Sequence, residues 1–164
     1  MKTVVRLTLL LLLAVFFSCD EKPLSARTHH GPGVHVKEQA VKKKPGDWFQ
    51  DFEKALKSAR AKKQRLLVDF WAEWCAPCKV MEKELFSSSE FKALAEKEKL
   101  LLVRVDFTEN NDHNDEIAEK YGIQGMPTVL LLKPDGSLID AMIGYKNKSI
   151  SLTYLKTALG RAFD

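Results

Sequence analysis

Residues 66–79 read LLVDFWAEWCAPCK. An apolar run interrupted by one acid, Asp69, ends at Trp71, and Cys75 and Cys78 follow with Ala76 and Pro77 between them. The run 66–71 predicts a buried strand, and a helix is expected from about Cys75, carrying Val80, Met81 and Leu85. On a first helical turn, positions i and i+3 face the same way, which brings the two sulfurs within disulfide reach. The unpaired N–H groups and dipole of a helix start stabilise an anion, so a thiolate at Cys75 is favoured, and Cys75 is expected to be the exposed member of the pair. Pro77 suits the first turn because its missing N–H has no helical acceptor to lose. Lys79 adds positive charge nearby.

Three uses of such a pair can be weighed. A structural zinc site brings two further Cys or His ligands at similar spacing. The C-terminal part of the chain offers only His113, alone in a polar loop. A structural staple closing so small a loop gains little chain entropy. Redox exchange remains, for which a C-x-x-C beside a strand–helix pattern is the sequence sign.

The flanking pattern extends the strand–helix unit into a layered domain. Asp47 is placed to cap a helix whose apolar face is Trp48, Phe49, Phe52, Ala55, Leu56 and Ala59. A second helical piece is expected at 88–97, a buried strand at 100–106, and a short helix at 114–121 closed by Gly122. Strands at 128–133 and 137–143 flank Pro134-Asp135-Gly136, a hairpin signal. Ser149 or Ser151 opens a last amphipathic helix through Leu152, Leu155, Leu159 and Phe163. The order predicts an α/β domain: a central mixed sheet, helices on both faces and an antiparallel edge. The acidic stretch NNDHNDE lacks the glycine and terminal glutamate of a calcium-binding loop and reads as a helix cap.

LLVDFWAEWCAPCK resembles the active-site segment of thioredoxins, and YGIQGMPTVLLLKPDG (121–136) resembles their segment around a cis-proline, here Pro127. The resemblance covers about 47–163 and implies the thioredoxin fold, with the Met126–Pro127 bond cis and packed over the cysteines. It also implies that the backbone at Met126 pairs with a substrate chain beside Trp74, Ala76 and Pro77. KELFSSSEFKAL (83–94) and DFTENNDHNDEIAEKYGI (106–123) are similar to the C-terminal domain of the DsbD reductases. That branch implies two acids near the cysteines, matching Asp69 and Glu82, of which one of raised pKa can serve as base for Cys78. Glu82 reads equally as an exposed helix residue. Thioredoxins carry a lysine facing the buried acid. Leu102 stands there by alignment on Asp106, so a cationic partner for Asp69 must come from elsewhere or is absent. Trp71 is expected in the core and Trp74 at the surface.

The N-terminus has a different character. Lys2 and Arg6 precede an apolar run from Leu7 to Phe17, the layout of a secretory signal, and the run is too short to span a bilayer core of roughly 30 Å comfortably. FFSC resembles a lipobox, although Phe16 stands where leucine is usual, so Cys19 is expected to carry a lipid. The alternative is a cysteine beside a discarded signal. Residues 19–46 have linker composition, rich in Pro, Gly and charge. His29, His30 and His35 fit a solvated linker better than a metal site. Lys42–Lys44 could touch anionic lipid heads or simply be solvated, and VHV at 34–36 could form a short edge strand.

The full chain of 164 residues carries a net charge of +4, and without residues 1–18 it has 24 basic against 22 acidic groups. So small an excess does not point to nucleic acid. Taken together, the sequence predicts a signal at 1–18, a lipid-anchored linker at 19–46 and a thioredoxin-like domain at 47–164. The expected activity is thiol–disulfide exchange through Cys75 and Cys78 in the periplasm of a bacterial envelope. It would act as a monomer on protein disulfides, without a soluble cofactor or metal, and would be recharged by a membrane-bound or thioredoxin-type electron donor. A disulfide isomerase or oxidase, and a partner- or metal-binding module on the same fold, are the alternatives. The Ala-Pro dipeptide, close to thioredoxin's Gly-Pro, suggests a potential nearer about −270 mV than about −120 mV.

Overall fold

A computed structural model describes residues 47–109 and 111–161. Its strands are β1 (Trp48–Phe49), β2 (Leu66–Trp71), β3 (Leu101–Asp106), β4 (Thr128–Leu132) and β5 (Leu138–Ile143). The helices are α1 (Phe52–Lys62), α2 (Ala76–Met81), α3 (Ser89–Lys97), α4 (Asp112–Tyr121) and α5 (Lys148–Arg161), with a π-helical turn at Glu82–Phe86 directly after α2. One sheet runs in the order β1-β3-β2-β4-β5. β1, β3 and β2 are parallel, while β4 and β5 run antiparallel to their neighbours. This is the mixed sheet with an antiparallel edge that the sequence predicts.

The pleat explains the two-sided core. On β2, Leu66, Val68 and Phe70 face α1 and Ile117 of α4, together with Val103, Val105, Leu130 and Leu132. Leu67 faces the other way, with Leu102, Val129 and Leu131, against Met81, Leu85, Phe91, Leu94, Leu152 and Leu155. A strand covered on both faces reads as a continuous apolar run, as 66–71 does. The π-helical turn widens the helix where Leu85 and Phe86, adjacent in sequence, are both buried.

Three expectations change. Trp48 and Phe49 form a strand and not the start of a helix. They pair with Leu102 and Val103, and their side chains divide between the two cores, Trp48 to one and Phe49 to the other. That period of two belongs to a strand. The helix begins after Asp51, whose side chain accepts from the Lys54 N–H at 2.9 Å. The 114–121 helix starts earlier, at Asp112, because Asn111 caps it by accepting from the His113 and Asn114 N–H groups. The last helix opens at Lys148, where Asn147 accepts from the Ile150 N–H, and neither Ser149 nor Ser151 is its cap.

β1 enters the sheet beside the Leu101 end of β3, with Trp48 opposite Leu102. Trp71 and Asp106 lie opposite each other at the far end, from which the chain runs on to the cysteines. The readings for the signal, Cys19, the linker, its histidines, VHV and Phe163 lie outside the described residues.

Candidate active site

β2 ends at Trp71, and a turn in which the Cys75 N–H donates to Ala72 O at 3.0 Å delivers Cys75 to the N-cap of α2. There Cys75 Sγ accepts from the Cys78 N–H at 3.3 Å, and Pro77 occupies the first turn. Cys75 and Cys78 are disulfide-bonded, with S–S 2.01 Å and Cα–Cα 5.3 Å. Cys75 is not the exposed member: it is 5% exposed and Cys78 2%. Ala72, Trp71, Phe107 and Met126 pack on the pair and cover its sulfurs. The Met126–Pro127 bond is cis and Pro127 is buried. Around this cluster Ala76 and Pro77 are exposed, and Trp74 stands out at 66%. Ile143, 81% exposed, pairs with Thr128 directly after Pro127, an apolar surface residue that sequence reading missed.

Asp69 shares its side of β2 with Leu67 and Trp71 and is buried, at 1% exposure. Its partner across the sheet is Arg104 of β3. Arg104 Nε and Nη2 each lie 3.1 Å from Asp69 Oδ2, and Nη2 also donates to Glu82 Oε2. The guanidinium is sandwiched, its carbon 4.6 Å from the Trp48 ring centroid and 4.8 Å from that of Trp71. Asp69 Oδ1 and Trp71 Nε1 are buried without a hydrogen-bond partner. Burial pushes the Asp69 carboxyl up to about 7; Arg104 pulls it down, and the neighbouring Glu82 charge adds to the rise.

The cation that sequence comparison sought at Leu102 is therefore Arg104, two residues on along the same face of β3. Glu82 is neither a plain surface residue nor fully buried: it pairs with Arg104 while its side chain stays 37% exposed. Trp71 is half-buried and lines both the cysteine cluster and the arginine; Trp74 is at the surface, as expected. His113 is exposed on α4. Among the described residues, no group of three or more His, Cys, Asp or Glu could hold a metal ion, and no helix is long and apolar enough to cross a membrane.

Residues 47–134 match the family model described as thioredoxin-like. The chain belongs to the thioredoxin-like family. Thioredoxin of Bacillus subtilis is 37% identical over 91 residues, which is 56% of this chain and 79% of that protein. The thiol:disulfide interchange protein DsbD of Pseudomonas fluorescens is 40% identical over 84 residues, 51% of this chain and 14% of its own length, so this chain spans only a small part of that relative. Among solved structures, an oxidoreductase named DsbH superposes with a TM-score of 0.60 at 24% identity, covering 70% of this chain and 84% of that one. The oxidised C-terminal domain of Neisseria meningitidis DsbD gives 0.56 at 24% identity, covering 68% and 99%. These two likenesses concern the fold. The thioredoxin-like match ends at Pro134, yet β5 and α5 beyond it complete the same sheet and core. The chain is a thioredoxin-like thiol–disulfide oxidoreductase with DsbD-like relatives and the C-x-x-C pair Cys75–Cys78.

Proposed function

We infer that this oxidoreductase works as a reductase of protein disulfides on the extracytoplasmic side of a bacterial envelope. In this reading residues 1–18 are a signal, Cys19 carries a lipid, 19–46 form the tether and 47–164 the working domain. The observation that carries the chemistry is the placement of Cys75 Sγ at a helix start, accepting an N–H, with Cys78 behind it and a buried acid on the adjoining strand. Reduced, Cys75 attacks one sulfur of a partner's disulfide as the thiolate. Its sulfur bonds to that sulfur, and the other leaves as a thiolate and takes a proton from water. Cys78 then gives its thiol proton to Asp69 and attacks Cys75 Sγ. The Cys75–Cys78 bond forms as the bond from Cys75 to the attacked partner sulfur breaks; that sulfur leaves as a thiolate and takes a proton from water, so the partner is reduced by two electrons while this chain is oxidised.

A donor dithiol, membrane-bound or thioredoxin-like, reverses the exchange and recharges the pair. Trp74, Ala76, Pro77 and Met126 supply the surface against which a partner chain lies, with Pro127 fixing the loop beneath. The DsbD-like relatives support the extracytoplasmic placement and protein substrates. Insulin reduction driven by a dithiol tests the activity. Cys75→Ser should abolish it, and Cys78→Ser should accumulate mixed disulfides with partners. A measured potential near about −120 mV would make the chain an oxidant instead. Detergent-phase partition that is lost in Cys19→Ala tests the anchor. A mature chain that mass spectrometry shows to start elsewhere, without acyl groups, would remove it.

A further inference from the structure

We propose that Arg104 is a positioning residue of the redox centre: it clamps the buried carboxylate of Asp69 and the half-exposed one of Glu82 on one guanidinium, and so sets how readily Asp69 gives and takes its proton, with Glu82 as a lesser opposing influence. The inference rests on the reading of Asp69 as proton acceptor for Cys78, and it assigns a role to a residue the exchange chemistry itself does not name.

The geometry is specific. One guanidinium meets both carboxylates, through Nε and Nη2 to Asp69 Oδ2 and through Nη2 to Glu82 Oε2. Two indole rings hold it in place from either side, Trp48 on β1 and Trp71 on β2. An arginine fixed in this way keeps its charge and its fork at any working pH, whereas a lysine would offer a movable point charge. The two carboxylates sit differently in the protein. Asp69 is closed off, with Oδ1 unpartnered, while Glu82 reaches solvent from the start of the π-helical turn. The charged groups acting on Asp69 are Arg104 from β3 and Glu82 from that turn. On the other sides, Val129 of β4 faces it across the sheet and brings no charge.

The two neighbours pull in opposite senses. Arg104 favours the Asp69 carboxylate, the form that accepts the Cys78 proton. The Glu82 charge disfavours it, and is the smaller of the two influences. In the resolving step the Cys78 proton goes to Asp69, Cys78 sulfur bonds to Cys75 sulfur, and the partner's thiolate leaves. When the pair is next reduced the proton can return to Cys78. Arg104 neither gains nor loses a proton in this sequence. It keeps Asp69 able to ionise inside an apolar wall.

The test uses the full-length protein with three variants, Arg104→Met, Arg104→Lys and Glu82→Gln. The Asp69 side-chain carboxyl is titrated by carbon-13 NMR in the oxidised protein, and the rate of mixed-disulfide resolution is followed against pH in the same variants. Arg104→Met should move both midpoints up by at least ~1 pH unit. At neutral pH its resolution should then be about fivefold slower for a shift of ~1 unit, with the deficit closing at high pH. Glu82→Gln should move both midpoints down. Arg104→Lys should restore most of the shift, and it together with Glu82→Gln decides the matter should Arg104→Met not fold. A purely structural arginine would lower the melting temperature and scale the rate equally at every pH, leaving both midpoints in place; that result overturns the proposal. A Glu82→Gln midpoint that stays put or rises overturns the coupling. Carboxyl shifts as expected in a protein unable to reduce insulin would leave the arginine clamp standing and remove the reductase reading instead.

Discussion

Asp69 is a carboxyl group in the middle of an apolar strand, and its proton connects stability to chemistry. Folded, it holds that proton up to about pH 7; unfolded, it would lose it near the ordinary value of 3.8. Between those limits the folded chain binds the extra proton. Stability from this residue is therefore complete at low pH, falls as pH rises through the window, and levels off above about 7. Asp69→Asn removes the dependence. The variant should melt several degrees higher than the parent at pH 8, with the gain vanishing toward pH 4, as a calorimetric series will show. The same variant should slow mixed-disulfide resolution near neutral pH while sparing the first attack by Cys75, which stopped-flow kinetics separates. Asp69 was legible in the sequence because an acid in an apolar run must be paired or protonated. Arg104 was equally visible as the lone cation of LLLVRVD. Its partnership was not, because which β3 residue faces Asp69 depends on the register of two strands 35 residues apart, and register is set by tertiary packing.

At the scale of elements, the sequence disclosed what periodicity and turn residues can disclose. β2, β3, β4 and β5, the start of the C-x-x-C helix and the hairpin lie within a residue or so of their expected bounds, while that helix, expected to carry Leu85, gives way to the π-helical turn after Met81. Two-residue β1 escaped, since Trp48 and Phe49 fit the apolar stripe of the following helix as well as they fit a strand, and only the free edge of β3 decides between them. The helix cap escaped with it. Asp51 holds the α1 start, and the N–H groups it accepts keep its carboxyl below the usual range. Asp51→Ala should cost about 1 kcal/mol. Because the folded value is the lower one, that contribution is present near neutral pH and lost as pH falls through the acid range. Urea titrations of parent and variant should therefore converge in acid. The β4–β5 turn is exacting in another way. Gly136 has φ +90°, a Cβ there would meet Leu56 Cδ1 at 3.2 Å, and its carbonyl accepts from Tyr121 Oη at 2.9 Å. Gly136→Ala should destabilise by roughly 1–2 kcal/mol through backbone strain alone, whereas Gly122→Asn, at a helix end with open space and φ +66°, should cost far less. Chemical denaturation of the pair distinguishes the two positions.

For the whole molecule, the buried residues described all lie between Phe52 and Leu159, on two faces of one sheet. A fragment of residues 47–164 should therefore melt within a few degrees of the full chain. It should also exchange disulfides with a soluble substrate at an undiminished rate. Scanning calorimetry and an insulin assay check both, and a fragment that fails to fold would show that the preceding residues belong to the core. The thioredoxin-like match, the sheet order and the two cores agree on one folding unit, and the sequence conveyed that unit through its two motifs and its alternating strands. Because β1 lies parallel to β3, the described chain begins at one pole of the sheet while β2 delivers Cys75 and Cys78 beyond the other. Six residues of strand separate those poles, about 20 Å. Asp47, where the described chain begins, thus lies at the heel of the domain, and the sulfur pair rides at the toe. A chain that reaches the sulfur pair from beyond the Trp71 end of β2 approaches from the pole opposite Asp47, and no described residue ahead of β1 lies in its way.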